Sequence, residues 1–102
     1  MEAQICMIVV KILEKTGSFA ENKDVARELR QNEILPSLDQ GEEVTLDFAG
    51  VESTTQSFIH ALISDILRKK GPGVLDRLFF KNCNETVQKL IKIVIVYMQE
   101  TE

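Results

Sequence analysis

The chain has 102 residues, 44% hydrophobic and 27% charged, with a formal net charge of −4. This length allows one domain with one compact core, which we expect over residues 1–102. The acidic balance argues against a nucleic-acid partner, which would require a basic face, and the longest apolar run, residues 93–98, is too short to span a membrane.

The few cysteines and the N-terminal residues argue against disulfides, metals and secretion. Cys6 and Cys83 lie among apolar residues in or at the end of predicted strands, as is typical of cysteines that act as small hydrophobes. Residues 1–4 lack the positive charge of a secretory signal, which predicts a cytoplasmic location. Two cysteines and one histidine are too few for a structural zinc site, so we expect no metal and no cofactor.

The first predicted strand is the run ICMIVV at residues 5–10. It is apolar at every position and rich in β-branched side chains, which predicts a strand buried on both faces in the interior of a sheet. Residues 11–13 are compatible with its continuation.

A helix is predicted next, from a cap at Ser18 or Asn22 to about residue 32 or 33. Its inner stripe is Val25, Ala26 and Leu29, and its outer residues include Arg30. Pro36 is expected to end any helix in this region.

The rest of the chain is organised around a strand, a polar loop and a helix start at residues 44–58. Val44, Leu46 and Phe48 fall on one side of the strand, whereas Thr45 and Asp47 fall on the other. Gly50 permits a turn. Four hydroxyl residues follow within five positions: Ser53, Thr54, Thr55 and Ser57. Free backbone N–H groups collect at such a strand-to-helix junction, so this is the predicted functional site.

The second helix is predicted over residues 55–70 and the third over the last part of the chain, after a strand at residues 78–81. The second helix has a wide apolar face, consisting of Phe58, Ile59, Leu62, Ile63, Ile66 and Leu67, with Gln56, His60, Ser64 and Arg68 on the other side. Gly71 and Gly73 close the second helix.

Asn82 or Asn84 caps the last helix, whose face is Val87, Leu90, Ile91, Val94 and Met98. Residues 92–97 also have strand-like propensity, but the unbroken helical spacing favours helix.

The order strand, helix, strand, helix, strand, helix predicts an α/β domain with a mainly parallel sheet of three or four strands. Thr45 and Asp47 on one side of the second strand predict helices mostly on the other face. The first face would then be partly open or covered by another chain, so a homodimer is one hypothesis. The surplus apolar residues Ile93, Val96 and Tyr97 either pack against a loop or form a patch for a partner.

The sequence resembles the STAS-like domain family of unknown function. The resemblance is carried by Leu46-Asp47-Phe48-Ala49-Gly50-Val51 and Thr54-Thr55-Gln56-Ser57-Phe58, with support from residues 18–20 and 26–30. It covers about residues 17–98. The family is named for its similarity to anti-sigma-factor antagonist STAS domains, which are small bacterial, cytoplasmic α/β domains that act by binding.

The resemblance implies a regulatory protein-interaction module without enzymatic activity, whose partner is an ATPase-type, histidine-kinase-like protein. The implied contact residues are Asp47, Gly50, Ser53, Thr54, Thr55, Gln56, Ser57 and His60, among which Thr54, Thr55 and Ser57 are candidate phosphoacceptors. In strict register Gln56 occupies the phosphoacceptor position and Thr55 replaces the preceding acidic residue, so the resemblance supports binding more directly than a phosphorylation switch.

Two alternatives remain at this stage. Ser57 and His60 are three residues apart on one helix, and with Asp47 they would provide the residue types of a Ser-His-Asp hydrolase. A strained nucleophile turn and an oxyanion hole have no counterpart in the sequence, so a catalytic site is not expected. The other alternative is a structural dimerisation module without a switch.

Overall fold

The fold is built on two parallel sheets, seen in a computed structural model that describes residues 7–100. Strands β1 (Met7–Lys11), β3 (Glu43–Asp47) and β5 (Leu78–Lys81) pair with β3 in the centre. Two short strands, β2 (Phe19–Ala20) and β4 (Ser53–Thr54), form the second sheet. The predicted α/β class with a mainly parallel sheet is confirmed.

Five α-helical segments connect or follow the strands of the described region. They are α1 (Ile12–Thr16), α2 (Lys23–Leu29), α3 (Leu35–Asp39), α4 (Gln56–Lys70) and α5 (Glu85–Glu100), with a π-helix at Arg30–Ile34 and a 3₁₀-helix at Pro72–Asp76. The predicted helix at 55–70 and strand at 78–81 are confirmed, and residues 92–98 are helical. Among residues 7–100, no helix is long and apolar enough to cross a membrane.

One face of the three-stranded sheet lies in the core, whereas the other is exposed along its edge strands and buried at Thr45, which is 7% exposed. Val10, Val44, Leu46 and Leu78 point into a single core that they share with α4. On the opposite face, Met7 is 57% exposed, Val9 51% and Phe79 40%. The expected placement of helices mostly on one face is therefore confirmed.

The prediction of an interior first strand is wrong. β1 is an edge strand, paired only with β3 among the described strands, and one of its faces is open. An apolar run indicates burial on both faces only if both faces are covered, and here one is not. Ile12 and Leu13 belong to α1, so the strand ends at Lys11. Residues 5 and 6, including Cys6, lie outside the described residues.

The prediction that the first helix ends by about residue 33, with Pro36 as its stop, is wrong, because helical structure continues through Pro36 to Asp39. Asn22 caps its start by accepting a 2.8 Å hydrogen bond from the Asp24 amide. In the π-helical segment the Leu35 amide donates to the Arg30 carbonyl, five residues back. Because α3 begins after this π-helical turn, Pro36 falls in the first turn of α3. A missing N–H is tolerated there.

Two helix residues predicted on outer faces are buried. Arg30 is 8% exposed and Ser64 is 4% exposed. The reason is that α4 contacts α2 on one side and α5 on another, so more than its apolar stripe is covered. Periodicity within one helix does not show how many neighbours pack around it.

Candidate functional site

The site begins at the C-terminal end of β3, where Asp47 fixes the turn. Its carboxylate accepts hydrogen bonds from the Ala49 amide at 2.9 Å and from Asn82 Nδ2 at 3.0 Å. Asn82 has a φ of +59°, a left-handed conformation that asparagine tolerates better than most residues. Asp47 therefore joins the loop after β3 to the loop after β5.

The environment of Asp47 lowers the pKa of its carboxyl group. The bond from Asn82, the bond from the Ala49 amide and the charges of Lys81 and Lys11 hold the pKa of Asp47 below its usual value of 3.8, against a smaller opposing effect of burial.

We expect the Asp47 contribution to stability to be complete above about pH 4 and to be lost as the pH falls through the lowered pKa, because the folded state binds the proton less tightly. Asn82→Ala should raise the Asp47 pKa, since it removes the largest cause of the shift. NMR titration of the Asp47 carboxyl carbon in both proteins measures this. Equal pKa values would show that the Asn82 bond does not form in solution.

Gly50 holds the loop in a conformation that other residues resist. Its φ is +83°, and a Cβ atom at this position would lie 2.7 Å from Leu13 Cδ2. Gly41 has a similar φ of +85°, but a Cβ atom added there would meet nothing within 4 Å. Substitutions at Gly41 and Gly50 therefore separate the effect of backbone strain from the steric effect of Leu13.

We expect Gly41→Ala to lower the free energy of unfolding by about 1 kcal/mol through φ alone. Gly50→Ala should lower the free energy of unfolding by up to about 1 kcal/mol more than Gly41→Ala does, because Leu13 must also move. Urea denaturation of the two variants gives the difference. Equal losses would mean that the exposed Leu13 side chain shifts at no measurable cost.

The loop after Gly50 is held by the β2–β4 ladder, which was not predicted because two-residue strands leave no periodic pattern. The amides of Glu52 and Ser53 donate to the Ser18 carbonyl at 2.8 and 3.3 Å. Thr54 is 5% exposed, and its hydroxyl donates to the Ala20 carbonyl at 2.6 Å. Of the predicted hydroxyls, Thr54 thus faces the interior.

Asn84 ties this loop to α5. Its Nδ2 donates to the Glu52 carbonyl at 2.8 Å and lies 3.5 Å from the Val51 carbonyl oxygen, while its Oδ1 accepts from the Val87 amide at 2.9 Å. One side chain therefore caps a helix and tethers the site. The sequence predicts the cap but not the tether, because the tether depends on tertiary structure.

Two substitutions separate the roles of Asn84. Asn84→Asp should keep the cap and lose the tether, because a carboxylate accepts hydrogen bonds but does not donate them. Asn84→Ala should lose both and lower the free energy of unfolding by about 1–2 kcal/mol. Amide hydrogen exchange should show faster exchange at Ser53 in both variants, but at Val87 in Asn84→Ala only. Unchanged exchange at Ser53 in both would contradict the tether.

The start of α4 presents the exposed part of the site. Thr55 caps the helix by accepting a 3.1 Å hydrogen bond from the Phe58 amide. Gln56 and Ser57 follow and are exposed. His60 is half-buried, and its ring centroid lies 6.4 Å from that of Tyr97, which is 54% exposed. Tyr97 therefore extends the site onto α5, whereas the sequence left open whether it packs against a loop or contributes to a patch for a partner.

The predicted site residues do not form a hydrolytic arrangement. Between residues 7 and 100, no hydrogen bond joins Ser57, His60 and Asp47, and the Asp47 carboxylate is bonded to Ala49 and Asn82 instead. The same residues contain no group of three or more His, Cys, Asp or Glu side chains that could hold a metal ion.

The groove between β5 and α5 is lined by none of the predicted site residues, but its residue Asn82 is bonded to Asp47. It has a volume of about 410 Å³ and is lined by Phe80, Asn82, Cys83, Gln88, Ile91, Lys92 and Ile95. Burial, with a smaller effect of the Asp47 charge, raises the pKa of the Cys83 thiol to about 11. The thiol is therefore protonated at neutral pH and is a poor nucleophile, in agreement with its predicted role as a small hydrophobe.

A parallel three-stranded sheet covered mainly on one face, with a hydroxyl-rich loop that starts a helix, defines a STAS-like α/β domain. A family model described as "STAS-like domain of unknown function (DUF4325)" matches residues 25–88. The chain belongs to this family. The match runs from α2 to the first turn of α5 and contains the whole loop and the start of α4. Neither a curated protein nor a solved structure matches the chain.

Proposed function

We propose that this STAS-like domain is a regulatory protein-interaction module that contacts an ATPase-type kinase through residues 50–57 and the surface around His60 and Tyr97. The observation that carries the proposal is the combination of a hydrogen-bonded loop backbone and exposed side chains at the start of α4. Gln56 and Ser57 are exposed. The loop before them is held by Ser18, Ala20 and Asn84. A preordered surface loses little conformational entropy on binding.

The kinase partner is proposed by analogy with the STAS domains for which the family is named. A photo-reactive residue tests it in the native host. We expect p-benzoylphenylalanine at Gln56 to cross-link one protein with an ATPase domain, and the same residue at Gln31 to give no such product. Gln31 is a matched control because it is also an exposed glutamine on a helix, outside the proposed contact surface.

Purified proteins complete the test. Ser57→Glu should weaken the complex with the cross-linked ATPase at least about tenfold, because it adds a charge within the contact. Glu28→Gln, an exposed change on α2, should leave the affinity unchanged. Equal cross-linking from Gln56 and Gln31, or a complex insensitive to Ser57→Glu, would contradict the proposed surface.

The candidate phosphoacceptors differ in access. Thr54 is buried, and the Thr55 hydroxyl caps α4, whereas Ser57 is exposed in the first turn. A phosphate on Ser57 would be favoured by the N-terminal end of the helix dipole. We therefore propose Ser57 as the acceptor if the partner transfers phosphate. Mass spectrometry after incubation with the partner and ATP should find phosphate at Ser57, and phosphate at Thr54 instead would contradict this assignment.

A further inference from the structure

The outer edge of β5 presents unpaired backbone groups. β5 pairs with β3 on one side, and no other strand of residues 7–100 lies on its outer side. The carbonyls of Arg77 and Lys81 accept 2.9 Å hydrogen bonds from amides of β3 and of the residue after it. Because successive residues of a strand direct their backbone groups to opposite sides, the amide and carbonyl of Phe80 point outwards.

The Asn82 amide points the same way, because the C=O and N–H groups of a trans peptide are opposed and the Lys81 carbonyl of this peptide faces β3. Within residues 7–100, no hydrogen bond outside the β3–β5 ladder involves the Phe80 amide, the Phe80 carbonyl or the Asn82 amide. Phe80 is half-buried and Asn82 is exposed, whereas Leu78, on the part of β5 that the 3₁₀-helix contacts, is 2% exposed. The open part of the edge therefore runs from Phe80 to Asn82.

The groove between β5 and α5 adjoins this open edge. Its volume of about 410 Å³ lies within the usual range of ligand-binding pockets. Phe80 on one side and Ile91 and Ile95 on the other give it an apolar lining. Among the described residues that line it, only Lys92 is charged, and its side chain is exposed.

We propose that the groove binds an extended peptide segment of a partner protein, which adds a strand to the outer edge of β5. Peptide backbone groups pair with the amide and carbonyl of Phe80, and a further peptide carbonyl accepts from the Asn82 amide. Because side chains alternate along a strand, every second side chain of the peptide enters the groove. The side chains that contact Phe80, Ile91 and Ile95 are apolar.

The unpaired backbone groups favour a strand over other occupants. A small apolar molecule would fill the lining but bury the Phe80 amide and carbonyl without hydrogen-bond partners, which is unfavourable. A helix bonds its own backbone groups internally, so it would also leave these two groups unpaired. An extended chain has free amides and carbonyls at the spacing of a strand and can pair with both.

The charge of Lys92 specifies one residue of the peptide. Lys92 lies about 10 Å along α5 from its start at Glu85. At the other end of the groove Asn82 is bonded to the Asp47 carboxylate, whose negative charge opposes an acidic group there. An acidic residue of the peptide therefore lies next to Lys92, with apolar residues against the rest of the lining.

A weak complex is expected, with a Kd of about 10 µM to 1 mM, because the peptide loses conformational entropy and covers a small area. The groove is lined by no residue of the 50–57 loop, and its test uses no ATPase. The peptide site and the proposed kinase contact can therefore fail independently.

The probe is a decapeptide selected from a multivalent phage library of random sequences, with the full chain as bait. The selected sequences are expected to carry apolar residues at alternate positions and one Asp or Glu. NMR at about 90% saturation should show roughly tenfold slower hydrogen exchange of the Phe80 and Asn82 amides.

N-methylation of the probe, one amide at a time, tests strand addition directly. A methyl group on the amide that donates to the Phe80 carbonyl should weaken binding at least about tenfold. A methyl group on the next amide, which points away from β5, should have little effect because it removes no hydrogen bond to the protein.

Two charge reversals on α5 test the acidic residue of the probe. Lys92→Glu should weaken binding at least about fivefold. Lys89→Glu, the same change at an exposed lysine of α5 that does not line the groove, should leave binding unchanged. Equal effects of the two changes would contradict the placement of the acidic residue and overturn the proposal.

Three further results would overturn the proposal. The first is that no sequence is enriched from the library. The second is binding that no single N-methylation weakens, which would show that side chains alone fill the groove, as a helix or a small molecule would. The third is slow exchange of the Phe80 amide without peptide in a concentration-dependent dimer, which would place a second copy of the chain on this edge.

Discussion

Phe58→Ala is expected to lower the free energy of unfolding by about 3–5 kcal/mol, because it leaves a cavity where the core is fully packed. Phe58 is 0% exposed, as are Phe48 and Ile59, and all three belong to the same core. A domain of this size has about 5–15 kcal/mol of stability in total. The melting temperature should therefore fall by more than about 12 °C.

Ser57→Ala is the matched control for Phe58→Ala. Ser57 is the preceding residue in the same helical turn, but its side chain is exposed. Its replacement should change the free energy of unfolding by less than about 0.5 kcal/mol. Urea denaturation followed by circular dichroism measures both variants. A loss below about 1 kcal/mol for Phe58→Ala would contradict the packing of α4 against the core.

The same helix shows what the sequence could predict. The spacing of Phe58, Leu62 and Ile66 predicts a helix with one buried face, and these residues are buried in α4. The alternation of Val44, Leu46 and Phe48 likewise predicts which side of β3 faces the core. Both patterns are local and repeat within one element, so no knowledge of the tertiary structure is needed.

Features that depend on neighbouring elements could not be predicted in this way. The apolar run of β1 does not show that one face of the sheet lacks a covering helix. Two-residue strands such as β2 and β4 form only because Ser18 and Ala20 lie beside the loop after β3. Pro36 is accommodated by a π-helical turn that has no reliable sequence signal.

The same distinction between local patterns and tertiary contacts applies to the candidate site. Its position at the end of β3 and the start of α4 follows from the turn at Gly50 and the hydroxyl-rich segment. Which hydroxyl is accessible depends on tertiary contacts. Thr54 faces the Ala20 carbonyl, Thr55 caps the helix, and Ser57 is exposed. The contribution of Tyr97 depends on how α5 crosses α4, which the sequence of neither helix determines.

Arg30 is the buried charge that the helical pattern placed on the outside, and it permits a second test with a large effect. Its Nη1 donates to the Ala61 carbonyl at 2.6 Å, and its Nη2 lies 3.4 Å from Asp65 Oδ2. Its buried Nε has no hydrogen-bond partner among the described residues. The guanidinium thus joins the π-helical segment to α4, with Asp65 as its countercharge.

Asp65→Ala should lower the free energy of unfolding by about 2–3 kcal/mol, because it leaves the buried guanidinium without a countercharge. The expected loss lies at or below the low end of the range for buried pairs, since the Asp65 side chain is 31% exposed. Asp24→Ala is the control, because it removes an ion pair with Arg27 in which both side chains are exposed. It should cost less than about 1 kcal/mol.

Arg30→Met should be nearly neutral or stabilising, because a side chain of similar length fills the space and removes both the buried charge and the unpaired Nε. In the double variant Arg30→Met with Asp65→Ala, most of the loss caused by Asp65→Ala should therefore disappear. A double-mutant cycle by urea denaturation measures this coupling. Additive losses in the free energy of unfolding would show that Asp65 stabilises the fold through contacts other than Arg30. A loss above about 2 kcal/mol for Arg30→Met alone would show that the buried charge is itself stabilising.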